Sequence, residues 1–293
     1  MRFFLILLFL TALIFTRFYN LEKTARFVWD ESSDLVNIHR IYQTKDLTLI
    51  GPISEDGNKV FGSLTYYLLL PFAVLGHFDP ASTAYGAAFW GTVTAVILFY
   101  LSLKINPRLK ILSALLITVW WVLLIPSRWA WNPNFLPLWS SLSLLVLFSR
   151  IKWRYFLAGL FLAIGLHHHY LAGLTLIGFW LVIGVTSLKA KGGRNFLLFS
   201  LGAATALLPF VVFDLTHPPG LFVSRIPYFN YLGSTASFTP HQLMLGLALI
   251  PLVFGDIKAK NTTALTYAGM LFSQLVWVKK VGSLNMEGKL ELR

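Results

Sequence analysis

Long apolar runs recur along this chain between short polar segments, and they constrain its fold more than any other feature. A helix that crosses a membrane needs about 20 apolar residues, with about 17 as the usual lower limit. Several runs reach this length and the others approach it. The sequence therefore predicts an all-α polytopic membrane protein with about nine transmembrane helices, in the runs 3–19, 81–103, 111–125, 135–149, 155–167, 170–188, 195–213, 241–255 and 262–278.

The composition agrees with this prediction. Apolar residues make up 56% of the 293 residues and charged residues only 12%, and the mean hydropathy is +0.68. A soluble domain of this length cannot bury so much apolar surface, so lipid must cover the remainder. The chain has no cysteine, which excludes disulfides and a thiolate nucleophile.

The positions of the basic residues predict the orientation in the membrane. A net charge of +12 would by itself suit nucleic acid or anionic lipid as a partner. The cations, however, form small clusters in alternate loops, which is typical of cytoplasmic loops and removes the reason to expect nucleic acid. We expect a multi-pass plasma-membrane protein with these cytoplasmic clusters: Lys104/Arg108/Lys110, Arg150/Lys152/Arg154, Lys189/Lys191/Arg194 and Lys258/Lys260.

This orientation divides the chain into segments. Only two spans can precede the first basic cluster, so we expect Leu64–Gly76 to be an interfacial helix rather than a crossing. The outer face then holds a large first loop, 20–80, and a later loop, 214–240. The transmembrane domain is expected over 1–278. The tail 279–293 is atypical, because it would emerge outside the cell with four cations.

The first candidate site follows the first span. Eight of the twelve acidic residues lie between residues 21 and 81, and Asp30, Glu31 and Asp34 follow the apolar residues Phe27 and Trp29. Carboxylates beside aromatics at a membrane surface are desolvated, which makes them better proton acceptors. Asp30 and Asp34 also share one face of a helix. The alternative is an ordinary solvated loop with an Asp N-cap.

A second candidate site lies in the next outer loop, Ser127-Arg-Trp-Ala-Trp-Asn-Pro-Asn134. Arg128 is the only cation of this loop, and tryptophans and the amide of Asn132 surround it. Such a guanidinium suits a phosphate at the lipid surface. The alternative is an arginine that merely anchors the loop in an aromatic belt.

Further polar residues lie at the outer ends of later spans. Three adjacent imidazoles, at 167–169, cannot converge on one metal ion, because neighbouring helical residues point about 100° apart. We expect one of them, His169, to contact a ligand. The segment that starts at Phe213-Asp214 and contains Arg225 either covers a substrate or is a plain connector. Apart from Arg17, no charged residue lies within the spans, which argues against an ion-coupled transporter.

The order of these motifs resembles the GT-C glycosyltransferases, especially family 39, which includes protein O-mannosyltransferases and the lipid A aminoarabinose transferase. The resemblance covers roughly residues 1–220, although Phe61-Gly-Ser-Leu stands where family members often have His-Pro-Pro-Leu. Besides the acidic motif, these segments carry it: Leu49-Ile-Gly-Pro52, Gly62-Ser-Leu-Thr-Tyr-Tyr-Leu-Leu-Leu-Pro71, Ser127–Asn134, the Gly-Leu-x-x-x-Leu-x-x-His-Tyr pattern ending at Tyr170, and Pro209-Phe-Val-Val-Phe-Asp214.

The resemblance implies a function and a set of site residues. A sugar would pass from a polyprenyl-phosphate donor, with inversion, to a lipid, glycan or protein acceptor on the extracytoplasmic face, where the first outer loop contains juxtamembrane helices. Asp30 would be the catalytic base and Glu31 would position it, bind the acceptor or bind a divalent metal, which some relatives require; no other cofactor is implied. Arg128, Arg40, Lys59 or His169 would bind the departing phosphate. The alternative is a non-catalytic carrier or assembly subunit for lipid-linked sugars.

Overall fold

The computed structural model describes residues 2–53, 60–189, 192–218 and 220–222, all within one compact unit, Met1–Phe229. Lys59, Arg225, the runs 241–255 and 262–278, and the tail 279–293 lie outside the described residues. The described part is mostly helical. Its α-helices are α1 (Arg2–Phe18), α2 (Leu21–Thr24), α3 (Trp29–Thr44), α4 (Leu64–Leu75), α5 (Ser82–Ile105), α6 (Lys110–Val119), α7 (Trp121–Leu124), α8 (Leu136–Leu147), α9 (Arg154–Ile164), α10 (Ala172–Lys189) and α11 (Arg194–Thr216).

Three of these helices, α5, α10 and α11, are long and apolar enough to cross a membrane. The segments Pro107–Val119 and Trp121–Arg128 are bent by 54° relative to each other, and they form a fourth span if they count as one broken crossing rather than as a re-entrant loop. The helices Ile6–Phe18, Leu64–Leu75 and Arg154–His167 are apolar but shorter. The expected number of nine spans stays a prediction.

The run 111–125 is not one continuous helix, in contrast to the prediction. Trp120 has an extended backbone and ends α6, and the chain resumes as α7. The break leaves the carbonyl of Ile117 without its next helical partner. The buried side chain of Arg17 replaces that partner, since its Nη2 donates to the Ile117 oxygen at 3.1 Å. An arginine from α1 thus satisfies a backbone group that lipid cannot satisfy.

The packing of the helices gives the bundle two distinct ends. α1 runs antiparallel to α5, with Phe9 beside Phe99 and Phe18 beside Tyr85. α8 and α9 form an antiparallel pair, in which Ser143 Oγ donates to the Ala158 oxygen at 3.0 Å. The loops that precede α5, α8 and α10 therefore lie at one end, which we call the carboxylate end. The loops that precede α6, α9 and α11 lie at the other, which we call the basic end.

α9 and α11 run parallel and in close contact. A side chain at Gly159 would collide with the backbone oxygen of Phe199, and one at Gly202 would collide with that of Phe156. Small residues at helix crossings allow such close approach in membranes, where packing replaces the hydrophobic effect. α10 completes this group by packing antiparallel to α11, with Trp180 Nε1 donating to Ser200 Oγ at 3.1 Å.

The predicted first outer loop contains more structure than the predicted interfacial helix. α4 lies alongside the first half of α5, because Gly76 is beside Ser82 and Trp90 Nε1 donates to the Leu68 oxygen at 3.1 Å. An antiparallel hairpin, β1 (Ile50–Ile53) with β2 (Val60–Gly62), was not expected in an all-α fold. It packs on the turn before α10, where the Tyr170 hydroxyl donates to the Val60 oxygen at 2.5 Å.

Candidate functional site

The acidic motif begins a helix rather than lying in a loop. The backbone N–H of Val28 donates to Glu31 Oε2 at 2.9 Å, which satisfies a donor at the start of α3. Asp30 and Glu31 both lie in the first turn. Carboxylates are favoured there by the partial positive charge of the helix N-terminus. The N-cap itself is Val28, so the alternative of a loop with an Asp N-cap does not describe this segment.

Two tryptophans of the loop Ser127–Asn134, the predicted second outer loop, contact these carboxylates. Trp129 Nε1 donates to Glu31 Oε1, and Trp131 Nε1 donates to Asp30 Oδ2 at 3.1 Å. The two indoles are stacked, with ring centroids 4.8 Å apart, and the guanidinium of Arg26 lies 4.5 Å from the centroid of Trp129. The contact joins residues about 100 positions apart and fixes α3 against the loop.

Asp34 is buried one turn further along α3, with 4% of its surface exposed. The side chain of Tyr66 of α4 lies close to it. Burial raises the pKa of Asp34 well above its usual range, and the nearby charges of Asp30 and Glu31 raise it further. Asp34 therefore favours its protonated form.

The three carboxylates differ in their access to a substrate. Glu31 is 1% exposed and both of its oxygens accept hydrogen bonds, which suits a positioning role. Asp34 is buried against α4. Asp30 is partly exposed, and the hydrogen bonds found in the described part of the chain leave its Oδ1 without a donor. Asp30 is thus the carboxylate that can reach an incoming hydroxyl group.

The structure places Arg128 against the end of α1. Its Nη1 donates to the carbonyl oxygens of Thr16 and Arg17 at 2.9 Å each, and its Nη2 donates to the Tyr19 oxygen at 2.9 Å and to the Thr24 hydroxyl. These contacts cap the carbonyls that a helix C-terminus leaves unsatisfied. These contacts support the alternative in which Arg128 anchors the loop, here by capping the C-terminus of α1. Phosphate binding by Arg128 stays a prediction.

The three adjacent histidines contact three different elements. His167 Nε2 is 2.7 Å from the Ala206 oxygen of α11, and His168 Nδ1 is 2.8 Å from Thr65 Oγ1 of α4. His169 Nδ1 accepts from the backbone N–H of Leu171 at 3.1 Å, and its ring stacks on Phe61. Burial lowers the pKa of His168 to about 3, so this imidazole is neutral.

The remaining candidates are scattered around this centre. Arg40 is exposed on α3, and Asn132 is buried with its Oδ1 unpaired in the part of the chain that the structure describes. Asp214 accepts from the backbone N–H groups of Leu221 and Phe222. Within the described ranges, no group of three or more histidine, aspartate or glutamate side chains could hold a metal ion.

A small, partly open cavity of about 20 Å³ lies beside this centre between α1, α5 and the start of α8. Arg17, Ser127 and Asn134 contribute its polar groups, together with Thr94, and the rest of its wall is apolar. Neither Asp30 nor Arg128 is among the described residues that line it.

Sequence reasoning missed the partners of the carboxylates. Trp129, Trp131 and Tyr66 were noted as neighbours or as motif residues, without an assigned contact. Two facts could have indicated these contacts: a buried indole or phenol needs a hydrogen-bond partner, and eight of the twelve acidic residues lie between residues 21 and 81.

No protein-family model, curated protein or solved structure matches the chain.

Proposed function

We propose that this chain is an integral-membrane glycosyltransferase of the GT-C type. It would cross the plasma membrane several times and transfer a sugar from a polyprenyl-phosphate donor to an acceptor on the extracytoplasmic face, with inversion. The proposal rests on the order of the sequence motifs. It is supported by the apolar helices. It is also supported by three segments that are predicted to share the outer face and that lie at one end of the bundle: the acidic motif, the loop Ser127–Asn134 and the histidines 167–169.

One observation carries the assignment of the site. Asp30 is partly exposed and held by Trp131, whereas Glu31 beside it is buried and hydrogen-bonded and Asp34 is buried. A base must be fixed in direction and still reach a proton. Of the three carboxylates, only Asp30 meets both conditions, and Glu31 fixes the helix and the loop that hold it.

The reaction needs one proton transfer and one displacement. Asp30 accepts the proton of the acceptor hydroxyl as its oxygen attacks the anomeric carbon, and the bond from that carbon to the donor phosphate oxygen breaks. The phosphate leaves as an anion that cations stabilise. Arg128, Arg40, Lys59 and His169 are the predicted candidates. Arg26 joins them, because it lies over Trp129, whose indole donates to Glu31.

The experiment compares Asp30→Asn with Asp46→Asn. Asn is nearly isosteric with Asp and still accepts from Trp131, but it cannot take up the proton. Loss of a general base typically lowers a rate about 100-fold to 10,000-fold. Asp46 is exposed in the loop after α3, so its substitution should leave the rate unchanged.

Transfer from a polyprenyl-phosphate sugar is measured in liposomes with folding checked by thermal unfolding. A parent-like rate for Asp30→Asn, or retention of the donor's anomeric configuration, would disprove the mechanism. Donor binding by the parent chain without any transfer would favour the alternative of a non-catalytic carrier.

A further inference from the structure

The middle of the chain contains cations and no carboxylates. No aspartate or glutamate occurs from residue 80 to residue 213, although that stretch holds ten lysines and arginines. Its positive charges therefore have no acidic partner nearby in the sequence. The ten are Lys104, Arg108, Lys110, Arg128, Arg150, Lys152, Arg154, Lys189, Lys191 and Arg194.

The fold separates these cations from the acidic residues. Arg128 lies at the carboxylate end, but eight of the others lie at the basic end: Lys104, Arg108, Lys110, Arg150, Lys152, Arg154, Lys189 and Arg194. All but Arg154 are exposed. The seven carboxylates in the described part of the chain lie at the opposite end: Glu22, Asp30, Glu31, Asp34, Asp46, Asp79 and Asp214.

Among the described residues, no carboxylate at the basic end offsets the mutual repulsion of these cations. The side chain of Arg154 reaches the carbonyl oxygen of Ser149 at 3.4 Å and the ring of Tyr155, and that of Lys104 reaches the ring of Tyr100. None of these groups carries a negative charge. Neutralisation must come from outside this part of the molecule.

Large apolar side chains are exposed among the same cations. Trp153, between Lys152 and Arg154, is 54% exposed, and Leu188, beside Lys189, is 78% exposed. Exposed leucine and tryptophan are unfavourable in water and do not suit a polyanion such as RNA. They suit the boundary between lipid headgroups and acyl chains, where tryptophan is enriched and basic residues meet phosphate.

We propose that the basic end is a docking surface for anionic lipid headgroups, with the loop Arg150–Arg154 at its centre. The cations around Trp153 contact the headgroup phosphates, and the indole lies at the level of the headgroups. This proposal goes beyond the glycosyltransferase assignment and does not depend on it, because it needs only that the helices are embedded in lipid.

The test uses quenching of Trp153 by brominated lipids. The chain is reconstituted in phosphatidylcholine vesicles that contain either brominated phosphatidylcholine or brominated phosphatidylglycerol, and the Trp153 signal is obtained by subtracting a Trp153→Phe variant. The expected preference for the anionic lipid is at least fivefold, equivalent to about 1 kcal/mol for one cation near an anionic surface. Adding 0.5 M salt should reduce it, because salt screens exposed charges.

A pair of double variants separates this surface from the overall charge. Arg150→Gln with Lys152→Gln should remove most of the preference at Trp153. Lys23→Gln with Lys45→Gln lowers the net charge equally at the carboxylate end and should leave the preference intact. Equal quenching of the parent chain by both lipids, or the same loss in both double variants, would overturn the proposal. The salt experiment tests it even if the first double variant does not fold.

Discussion

Replacing Arg128 by alanine should destabilise the protein, because it removes hydrogen bonds to the C-terminal end of α1. The side chain donates four hydrogen bonds, three of them to carbonyl oxygens at or just beyond the C-terminus of that helix. Charged hydrogen bonds contribute about 1.5–3 kcal/mol each when buried, and a cation at a helix C-terminus about 0.3–1 kcal/mol. Because Arg128 is partly exposed, we expect a net loss of roughly 2–4 kcal/mol.

The assay is the thermal unfolding midpoint in detergent without donor, at one scan rate. At about 2–4 °C per kcal/mol for chains of this size, the midpoint should fall by roughly 4–16 °C. Arg128→Lys should fall about half as far, since an ammonium cannot reach all four acceptors. Arg108→Ala is the control, because Arg108 is exposed at the basic end.

The same variants distinguish the anchoring role from phosphate binding. A parent-like midpoint for Arg128→Ala would refute the reasoning about α1. Weaker binding of a polyprenyl-phosphate donor at an unchanged midpoint would instead support the predicted phosphate role of Arg128.

Three further predictions follow from burial, close packing and orientation. Asp34→Asn should raise the unfolding midpoint at pH 7. Burial and two neighbouring carboxylates raise the pKa of Asp34 in the folded protein. Such a carboxyl destabilises the folded protein as the pH rises above the ordinary pKa of 3.8. The variant's midpoint should also decline less between pH 5 and 8 than that of the parent, and parallel profiles would contradict this. Gly202→Ala should cost about 1–3 kcal/mol by overpacking α9 against α11, whereas Gly178→Ala, with open space around it, should cost nothing; equal midpoints would refute the packing argument. A cysteine at Asp46 should react with an impermeant maleimide on intact cells and one at Lys152 only after permeabilisation, and labelling of both from outside would exclude the proposed orientation.

The sequence predicted the helical segments better than their continuity. The run 81–103 is α5, Ser82–Ile105, and the run 195–213 lies within α11, because apolar periodicity and basic ends are local properties. The break at Trp120 has no proline or glycine to announce it. It is stabilised by Arg17, about 100 residues earlier, and no local pattern contains that contact.

In the candidate site, too, local features could be predicted from the sequence and long-range contacts could not. Adjacent helical imidazoles point in different directions, and His167, His168 and His169 have separate partners. The phosphate role predicted for Arg128 follows from side chains alone. Backbone carbonyls at the end of α1 are equally good acceptors, and their proximity follows from helix packing that the sequence does not display.

The raised pKa of Asp34 reduces the repulsion among the three carboxylates at one end of α3. Asp30 and Glu31 lie in the first turn, where the helix N-terminus is partially positive, and Arg26 lies close by over Trp129. Asp34 lies a turn deeper, beyond the reach of that favourable field, and burial raises its pKa. A raised pKa favours the uncharged form of Asp34, which does not repel Asp30 and Glu31. The motif can therefore keep Asp30 on a fixed helix and leave its side chain partly exposed.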